Sequence, residues 1–406
     1  MTAAPLHVLW LPSWYPIEEN PLKGIFFQEQ AQALHQVGID IGIIYPEVRP
    51  LKDWRWAQGV KNHFQSSFSI ENQIPTYRKH GWNLFPKMAK QQMRSWIVQA
   101  EALFKRYVAK QGKPALIHAH SVLWGGIAAK EISKKWNIPY LITEHFTGIL
   151  KKKPFGTFLD DCWSRPYLSE AYRQASQVFS VGSALKDVVE HYAHRDVHVL
   201  PNFFDSDFFV LPKQQKQFVP FRFFCLAHLT ANKNYPVLLK AFQLAYQKSP
   251  HICLEIGGEG ELRGQLEQMA RDYQIAPAVH FLGPLSRTEV LKAMHRAHAF
   301  VLPSNFETFG VVLIEALATG LPVIATRCGG PEDIVNNEVG ILIPPNDPLA
   351  LSQALKNIQT QINRYDPEKL RENAVSRFSR QVVTQKLIQF YRLTCSKGDH
   401  EYSRHL

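Results

Sequence analysis

Val301-Leu-Pro-Ser-Asn-Phe-Glu307-Thr-Phe-Gly310-Val-Val-Leu-Ile-Glu315-Ala-Leu-Ala-Thr-Gly320 is the stretch from which the rest of the chain is read. It begins inside an apolar run that predicts a strand over 299–302. Pro303 ends that strand, a loop carries Glu307, and an apolar helical pattern runs from about Phe309 to Ala318. Gly320 and Pro322 supply helix-stop chemistry: a residue free to turn left-handed, then one that cannot continue the helix. Glu307 therefore stands before the helix and Glu315 in about its second turn. The backbone N–H groups of Thr308, Phe309 and Gly310 fall at the positive end of the helix, a place to hold a phosphate. Carboxylates on either side can accept hydrogen bonds from sugar and ribose hydroxyls. Spacing alone does not make the case, because Glu259 and Glu267 are also eight apart on what reads as a surface helix. The strand–loop–helix context separates the two pairs.

Outward from this segment, apolar β-branched runs alternate with helical patterns. The first half predicts strands over 7–11, 41–45, 116–120, 140–143, 177–181 and 197–200, with helices at about 25–36 and 88–110. The second half predicts strands over 222–227, 251–257, 279–282, 299–302, 322–325 and 340–343, with helices at about 235–247, 262–273, 287–297 and 309–318. Continuous apolar strands separated by helices imply parallel sheets covered on both faces. Two such blocks make an α/β protein of two doubly wound, Rossmann-like lobes, expected to face each other across a cleft. The seam falls near 201–220, where Asp205-Ser-Asp207 and the polar run Lys213–Gln217 read as a linker. Ligands of such sheets bind beyond the carboxyl ends of the strands.

The bulk numbers agree with two ordinary domains. The chain has 406 residues, 45% hydrophobic and 20% charged, which suits two cores of about 200 residues each. No apolar run reaches the ~18 residues that would span a bilayer, and the N-terminus has no signal-peptide pattern. These readings put the protein in the cytoplasm. The cysteines, at 162, 225, 253, 328 and 395, are odd in number and form no Cys-x-x-Cys pair. They read as free thiols, mostly buried, rather than disulfides or a zinc site. Net charge is +11, and the thirteen Lys and Arg between Arg49 and Lys113 face only Asp53, Glu71 and Glu101. That stretch also holds Trp54, Trp56, Trp82 and Trp96. Within it, Met93, Trp96, Ile97, Ala100, Leu103, Phe104 and Tyr107 follow helical spacing and predict a packed face. Arg49 to Trp82 is less regular; it reads as an anionic-membrane surface or as a solvated basic face. No nucleic-acid motif accompanies the charge.

The opening segment resembles the Glu-x7-Glu signature of glycosyltransferase family 4, whose members have the two-lobed GT-B fold. Phe224-Cys-Leu-Ala-His228-Leu-Thr-Ala-Asn-Lys233, with the run on to Phe242, is similar to that family's phosphate-binding strand and loop. Glu255-Ile-Gly257-Gly258-Glu259-Gly260 resembles its Gly-x-Gly loop, and His280-Phe-Leu-Gly283 the strand whose following loop borders the base. Cys328-Gly-Gly-Pro-Glu-Asp-Ile-Val335 and Gly340-Ile-Leu-Ile-Pro-Pro345 complete a likeness that is dense from about Phe221 to Ala354 and looser before it. The resemblance implies lobes of 1–205 (acceptor side) and 206–378 (nucleotide-sugar side), with 379–406 a helix packing back on the first. It implies sugar transfer from a nucleoside-diphosphate sugar, UDP- or GDP-linked, to a hydroxyl with retention at the anomeric carbon.

Residue by residue, the likeness carries over as follows. Glu315 would hold the ribose, and Glu307 and His120 the sugar. Lys233, His228, Gly258 and the amides of Thr308, Phe309 and Gly310 would hold the diphosphate. A departing diphosphate gains charge, and a fixed ammonium at Lys233 stabilises it; a plain surface lysine is the alternative. The family often has Arg where His228 stands, and an imidazole is a weaker clamp than a guanidinium. Leu116-Ile-His118-Ala-His120 ends a strand, so both histidines share one face; His120 matches the family's sugar-facing histidine and His118 reads as structural. Thr143-Glu144-His145 would line the acceptor side. The loop 12–24 with Gly24, leading into Ile25-Phe-Phe-Gln-Glu-Gln30, resembles the one that closes over the pyrophosphate; a helix start with a turn glycine is the other reading. Asp205-Ser-Asp207 reads as turn chemistry, and no metal or other cofactor is expected. The expected acceptor is a lipid-linked saccharide or surface polysaccharide precursor, with an anionic membrane surface as a further partner and no nucleic acid. A sugar-nucleotide epimerase on the same fold and a non-catalytic membrane scaffold are the competing readings.

Overall fold

The computed structural model describes residues 5–18, 20, 23–51, 63–146, 148, 163–213 and 219–402, with side chains to 396. The chain divides into two compact units. The first is Met1–Val181 with Leu185–Leu200 and Thr384–Leu406; the second is Gly182–Ala184 with Pro201–Val383. The divisions fall at 200/201 and, within the last helix, at 383/384, where the sequence reading sets them at 205/206 and 378/379.

The first unit is built on an eight-stranded sheet. In chain order its strands are β1 (His7–Pro12), β2 (Asp40–Arg49), β3 (Ser66–Glu71), β4 (Ile74–Trp82), β5 (Leu116–His120), β6 (Tyr140–Glu144), β7 (Gln177–Ser180) and β8 (His198–Val199). The spatial order is β3-β4-β2-β1-β5-β6-β7-β8, parallel throughout except for the β3–β4 pair. Val8 to Leu11 of β1 and Leu116, Ile117 and Ala119 of β5 are fully buried, as central parallel strands require. The helix Ala89–Gln111 buries Met93, Trp96, Ala100, Leu103, Phe104 and Tyr107 of the stripe its spacing predicts, while Ile97 at the margin of that face is half-buried. The final helix, Arg380–Tyr402, passes from the second unit into the first, where Tyr391 is fully buried and accepts the indole N–H of Trp10 at 3.1 Å.

The β3–β4 hairpin gives Arg49 and Arg78 partners within the fold, where the sequence reads Arg49–Trp82 as a membrane or solvated surface; Lys52, Arg55 and Lys61 of that stretch lie outside the described residues. β2 and β4 pair in parallel with Tyr45 opposite Arg78 and Glu47 opposite His80. Arg78 donates to both oxygens of Glu71 at 2.8 and 2.9 Å and to the Pro16 carbonyl at 2.8 Å, and its guanidinium lies over the Tyr15 ring. Arg49 stacks 4.4 Å from the Trp82 ring centre and sits 3.7 Å from Glu47. Arg49 is buried, Arg78 is mostly covered, and both have carboxylate partners; Trp82 and Trp96 are core residues. Trp54, Trp56 and Cys162 lie outside the described residues.

The second unit holds six parallel strands: β9 (Phe221–Leu226), β10 (Ile252–Gly257), β11 (Val279–Gly283), β12 (Ala299–Leu302), β13 (Val323–Thr326) and β14 (Gly340–Ile343), in the order β11-β10-β9-β12-β13-β14. β9 and β12 are neighbours at the centre, and chain order changes direction there, so the loops leaving their carboxyl ends emerge side by side. Asp205, expected to make a turn, accepts the amides of Asp207 and Phe208 at 3.2 and 3.3 Å and pairs with Arg380 at 2.5 Å.

Candidate active site

Lys233 and Glu307 are 74 residues apart, and the adjacency of β9 and β12 brings them together. Beyond β9 the chain makes a single 3-10 turn, Ala231–Lys233, before the helix Tyr235–Tyr246. Beyond β12 it runs through Ser304, Asn305 and Phe306 to Glu307. Three asparagines tie the two loops together, and a fourth, Asn346 beyond β14, braces them. The Asn232 side chain donates to the Phe306 carbonyl at 3.0 Å, and Asn305 N donates to the Asn232 carbonyl at 2.8 Å. The Asn234 amide donates to Asn305 Oδ1 at 3.1 Å and to Asn346 Oδ1 at 2.9 Å. Lys233 Nζ then pairs with Glu307 Oε1, which also accepts Ser304 Oγ at 2.7 Å. The second carboxylate oxygen, Oε2, has no partner among the described residues and is available to accept a hydroxyl.

The Glu307 loop is held from behind. Glu307 N donates to the Cys328 carbonyl at 3.2 Å, and Gly330 N donates to the Glu307 carbonyl at 2.8 Å. Gly310 follows in the left-handed region at φ 101°, which a side chain would strain, and caps the helix Val311–Ala318. Among the described residues the amides of Thr308, Phe309 and Gly310 have no hydrogen-bond acceptor, so the positive helix end stays open. The ring of Phe309 is buried against Phe378, and only its amide faces this end. Glu315 is the fifth residue of the helix and half-buried.

Two expected phosphate ligands stand differently. Gly258 has φ 117° and a Cβ there would lie 2.1 Å from the Ala227 carbonyl oxygen, while its own N–H is committed to the Gly283 carbonyl at 2.7 Å. Its contribution is close approach of backbone, not a donated hydrogen bond. The His228 side chain is exposed and makes no hydrogen bond or ion pair among the described residues. Cys328, behind the loop, is a half-buried thiol pushed up to about 12 by burial.

In the first unit the carboxyl ends of β1, β5 and β6 gather a buried cluster. His118 Nδ1 meets Tyr391 Oη at 2.6 Å and its Nε2 meets Thr143 Oγ1 at 2.8 Å. His120 Nδ1 meets His145 Nε2 at 3.3 Å, and its ring lies 4.0 Å from that of Trp10 and 4.9 Å from that of Phe27. All three imidazoles are buried. Burial holds His118 and His145 down to about 3, and lowers His120 well below its ordinary value, with the neighbouring histidines adding to the effect. The cluster is therefore neutral near pH 7. Glu144, expected on the acceptor side, is fully buried and turned inward. It accepts the amides of Val122, His145 and Phe146 at 2.9 Å each and Tyr172 Oη at 2.6 Å, which fixes the backbone around the cluster. Gly24 precedes the helix Ile25–Gln36 at φ 75°, where a Cβ would lie 2.9 Å from Trp14.

Sequence reasoning missed Ser304, the four asparagines and Tyr391. Asn232 and Asn234 flank Lys233, and Asn305 precedes Glu307 by two; that density of turn residues around two candidate ligands was the available signal. Tyr391 carries no signal, because its partners are 381 and 273 residues away. Among the described residues no group of three or more His, Cys, Asp or Glu is arranged to hold a metal ion, and no helix is long and apolar enough to cross a membrane.

Two parallel-sheet units of the GT-B fold, together with the family models they match, mark the chain as a glycosyltransferase, an enzyme that transfers a sugar. Residues 24–208 match the model described as Glycosyltransferase Family 4 and residues 203–377 the model described as Glycosyl transferases group 1; the chain belongs to this family. A Bacillus subtilis (strain 168) protein, provisionally named teichuronic acid biosynthesis glycosyltransferase TuaC, is 27% identical over 381 residues, 90% of each chain. Among solved structures, sucrose-phosphate synthase from Thermosynechococcus elongatus aligns with a TM-score of 0.74 at 18% identity, over 96% of this chain and 100% of that one. Anabaena Alr3699/HepE in complex with UDP aligns with a TM-score of 0.69 at 16% identity, over 95% and 99%.

Proposed function

We propose that this enzyme moves a sugar from a nucleoside-diphosphate sugar to a hydroxyl of a saccharide acceptor, with retention at the anomeric carbon and without a metal. The observation that supports this most is the Lys233–Glu307 pair beside the open amides of Thr308, Phe309 and Gly310, within residues 203–377 that match the group 1 model. A half-buried ammonium and an uncapped helix end both favour negative charge, and the leaving diphosphate is where negative charge develops. Glu307 Oε2 and His120 are the proposed sugar ligands, and Glu315 the proposed ribose ligand. His228 and Gly24 are proposed contacts of the diphosphate end, and Gly258 shapes the loop that approaches it. UDP is the nucleotide in the Anabaena complex and the first to test here.

The proposed acceptor is a lipid-linked saccharide or a surface-polysaccharide precursor, a reading supported by the name of the Bacillus subtilis relative. Contact with an anionic membrane surface is proposed on different residues from those the sequence suggested. Leu84, Phe85 and Met88 are exposed, and exposed Lys87, Lys90 and Arg94 lie among and just after them. The test of the donor reading is thermal stabilisation by UDP, GDP, ADP and their sugar conjugates without metal. A ligand at 100 times its dissociation constant adds about 2.7 kcal/mol. A shift with one nucleotide, lost in Glu315→Ala, supports the reading; no shift with any of them rejects it.

A further inference from the structure

Two nitrogens of the first unit's histidine cluster, His120 Nε2 and His145 Nδ1, are buried and have no hydrogen-bond partner among the described residues. Such atoms are rare in folded proteins and call for an account of what pairs with them. The protons of the cluster can be placed one at a time. Trp10 Nε1 is donor only, so Tyr391 Oη accepts from it at 3.1 Å. The single hydroxyl proton of Tyr391 is then given to His118 Nδ1, 2.6 Å away. His118, with Nδ1 accepting, carries its proton on Nε2 and donates it to Thr143 Oγ1 at 2.8 Å. His118 is thus a fixed, neutral neighbour, and His120 takes its orientation from His145 alone.

One proton lies between His120 Nδ1 and His145 Nε2, which are 3.3 Å apart. If His120 donates it, His120 Nε2 is a bare lone pair and His145 Nδ1 is a buried N–H with nothing to bind. If His145 donates it, His120 Nε2 bears the unpaired N–H and His145 Nδ1 is a bare lone pair. Without a ligand the two arrangements leave the same number of unmet groups. A ligand hydroxyl at His120 Nε2 breaks the tie. It relieves the N–H in the second arrangement and only a lone pair in the first, and an orphaned N–H is the rarer buried defect. From this we infer that His145 is a positioning residue: its Nε2–H donates to His120 Nδ1 and fixes His120 as an Nε2–H donor for a hydroxyl of the transferred sugar. This rests on the proposed sugar-donor reading and adds to it the residue that sets the tautomer.

Phe27 and Phe26 flank the His145 ring, with centres 4.9 and 5.2 Å away. The His145 backbone is pinned as well, its N–H donating to Glu144 Oε1 at 2.9 Å. Glutamine can present an amide N–H where His145 Nε2 stands, whereas phenylalanine fills the space and donates nothing.

The test is the two-bond 1H–15N correlation spectrum of the full-length protein labelled in histidine nitrogens, at pH 7, free and with saturating donor. The pattern distinguishes Nδ1–H from Nε2–H tautomers for each ring. The expected result is Nε2–H for both His118 and His120 with donor bound. His145→Phe is expected to lose that pattern at His120 and at least 10-fold in kcat, with a smaller change in donor KM, and His145→Gln to recover most of both. An Nδ1–H pattern at His120 in the donor-bound wild type overturns the assignment, as does full activity in folded His145→Phe. A wild type whose melting temperature no nucleoside-diphosphate sugar shifts overturns the donor reading instead, and the sugar contact of His120 falls with it whatever the spectrum shows.

Discussion

Removing one oxygen atom from Tyr391 isolates the network that fixes His118. In Tyr391→Phe the ring still fills its buried place, so little packing is lost. What disappears is the acceptor for Trp10 Nε1 at 3.1 Å and the donor to His118 Nδ1 at 2.6 Å. Both partners are fully buried, so water does not replace the hydroxyl unless the core opens. An unmet buried polar group costs about 1–3 kcal/mol. Two of them give roughly 3 kcal/mol, allowing for some relaxation. For a unit of 150–250 residues a loss of 1 kcal/mol lowers Tm by about 2–4 °C. The expected fall for the first unit is therefore about 6–12 °C, read by calorimetry at pH 7.5. A fall below about 2 °C would show that Trp10 and His118 find other partners, and the placement of protons in the cluster would lose its starting point.

The buried histidines make the fold sensitive to acid. His118 and His145 are held to about 3 while the unfolded chain titrates near 6.5, so between those values only the unfolded state takes up protons. Their stability is fully present above pH 6.5 and falls as pH is lowered, by about 2 kcal/mol between pH 6 and pH 5 for the two together; a flat urea midpoint over that interval contradicts it. Gly330→Ala places a Cβ 2.2–2.5 Å from the backbone of Phe309, so the loop must move. Nucleotide affinity in a thermal-shift titration should drop at least 10-fold, with a stability loss of about 1–3 kcal/mol. Lys233→Met should lower kcat/KM about 10²–10³-fold, the usual scale for a charge stabiliser at a leaving group. Activity within threefold of wild type would remove Lys233 from the proposed chemistry.

The sequence made the parallel strands legible because they are buried on both faces and read as continuous apolar runs. The β3–β4 hairpin was not legible, for three local reasons. Its edge strand exposes Phe68 and Ile70 and alternates with serine, so no apolar run marks it. Its turn, Asn72-Gln73, takes two positive φ values, 49° and 69°, without the glycine that signals such turns. Its basic residues look solvated until Glu47 of β2, outside the basic stretch, is brought beside them by register. The helix Ser183–Ala193 escaped notice because it buries only Leu185, Val189 and Ala193, too narrow a stripe to stand out. At the candidate site Lys233 and Glu307 could each be picked out by their place after a strand. Their contact could not, since it depends on β9 and β12 being neighbours, which is a fact of topology.

The two units carry opposite electrostatic solutions, and the proposed chemistry gives a reason. In the second unit opposite charges are paired: the Lys233 and Glu307 side chains retain 22% and 13% of their exposure, and each is the other's partner. A donor that takes Lys233 for its phosphates frees a Glu307 oxygen that Ser304 still anchors, so one carboxylate can turn to the sugar without being left unpaired. In the first unit charge is removed, because three imidazoles packed within one cluster cannot share protons at low cost. A neutral N–H donor suits the sugar hydroxyl proposed as the ligand of His120. On this view the depth of burial of His120 is what keeps its role to holding the sugar.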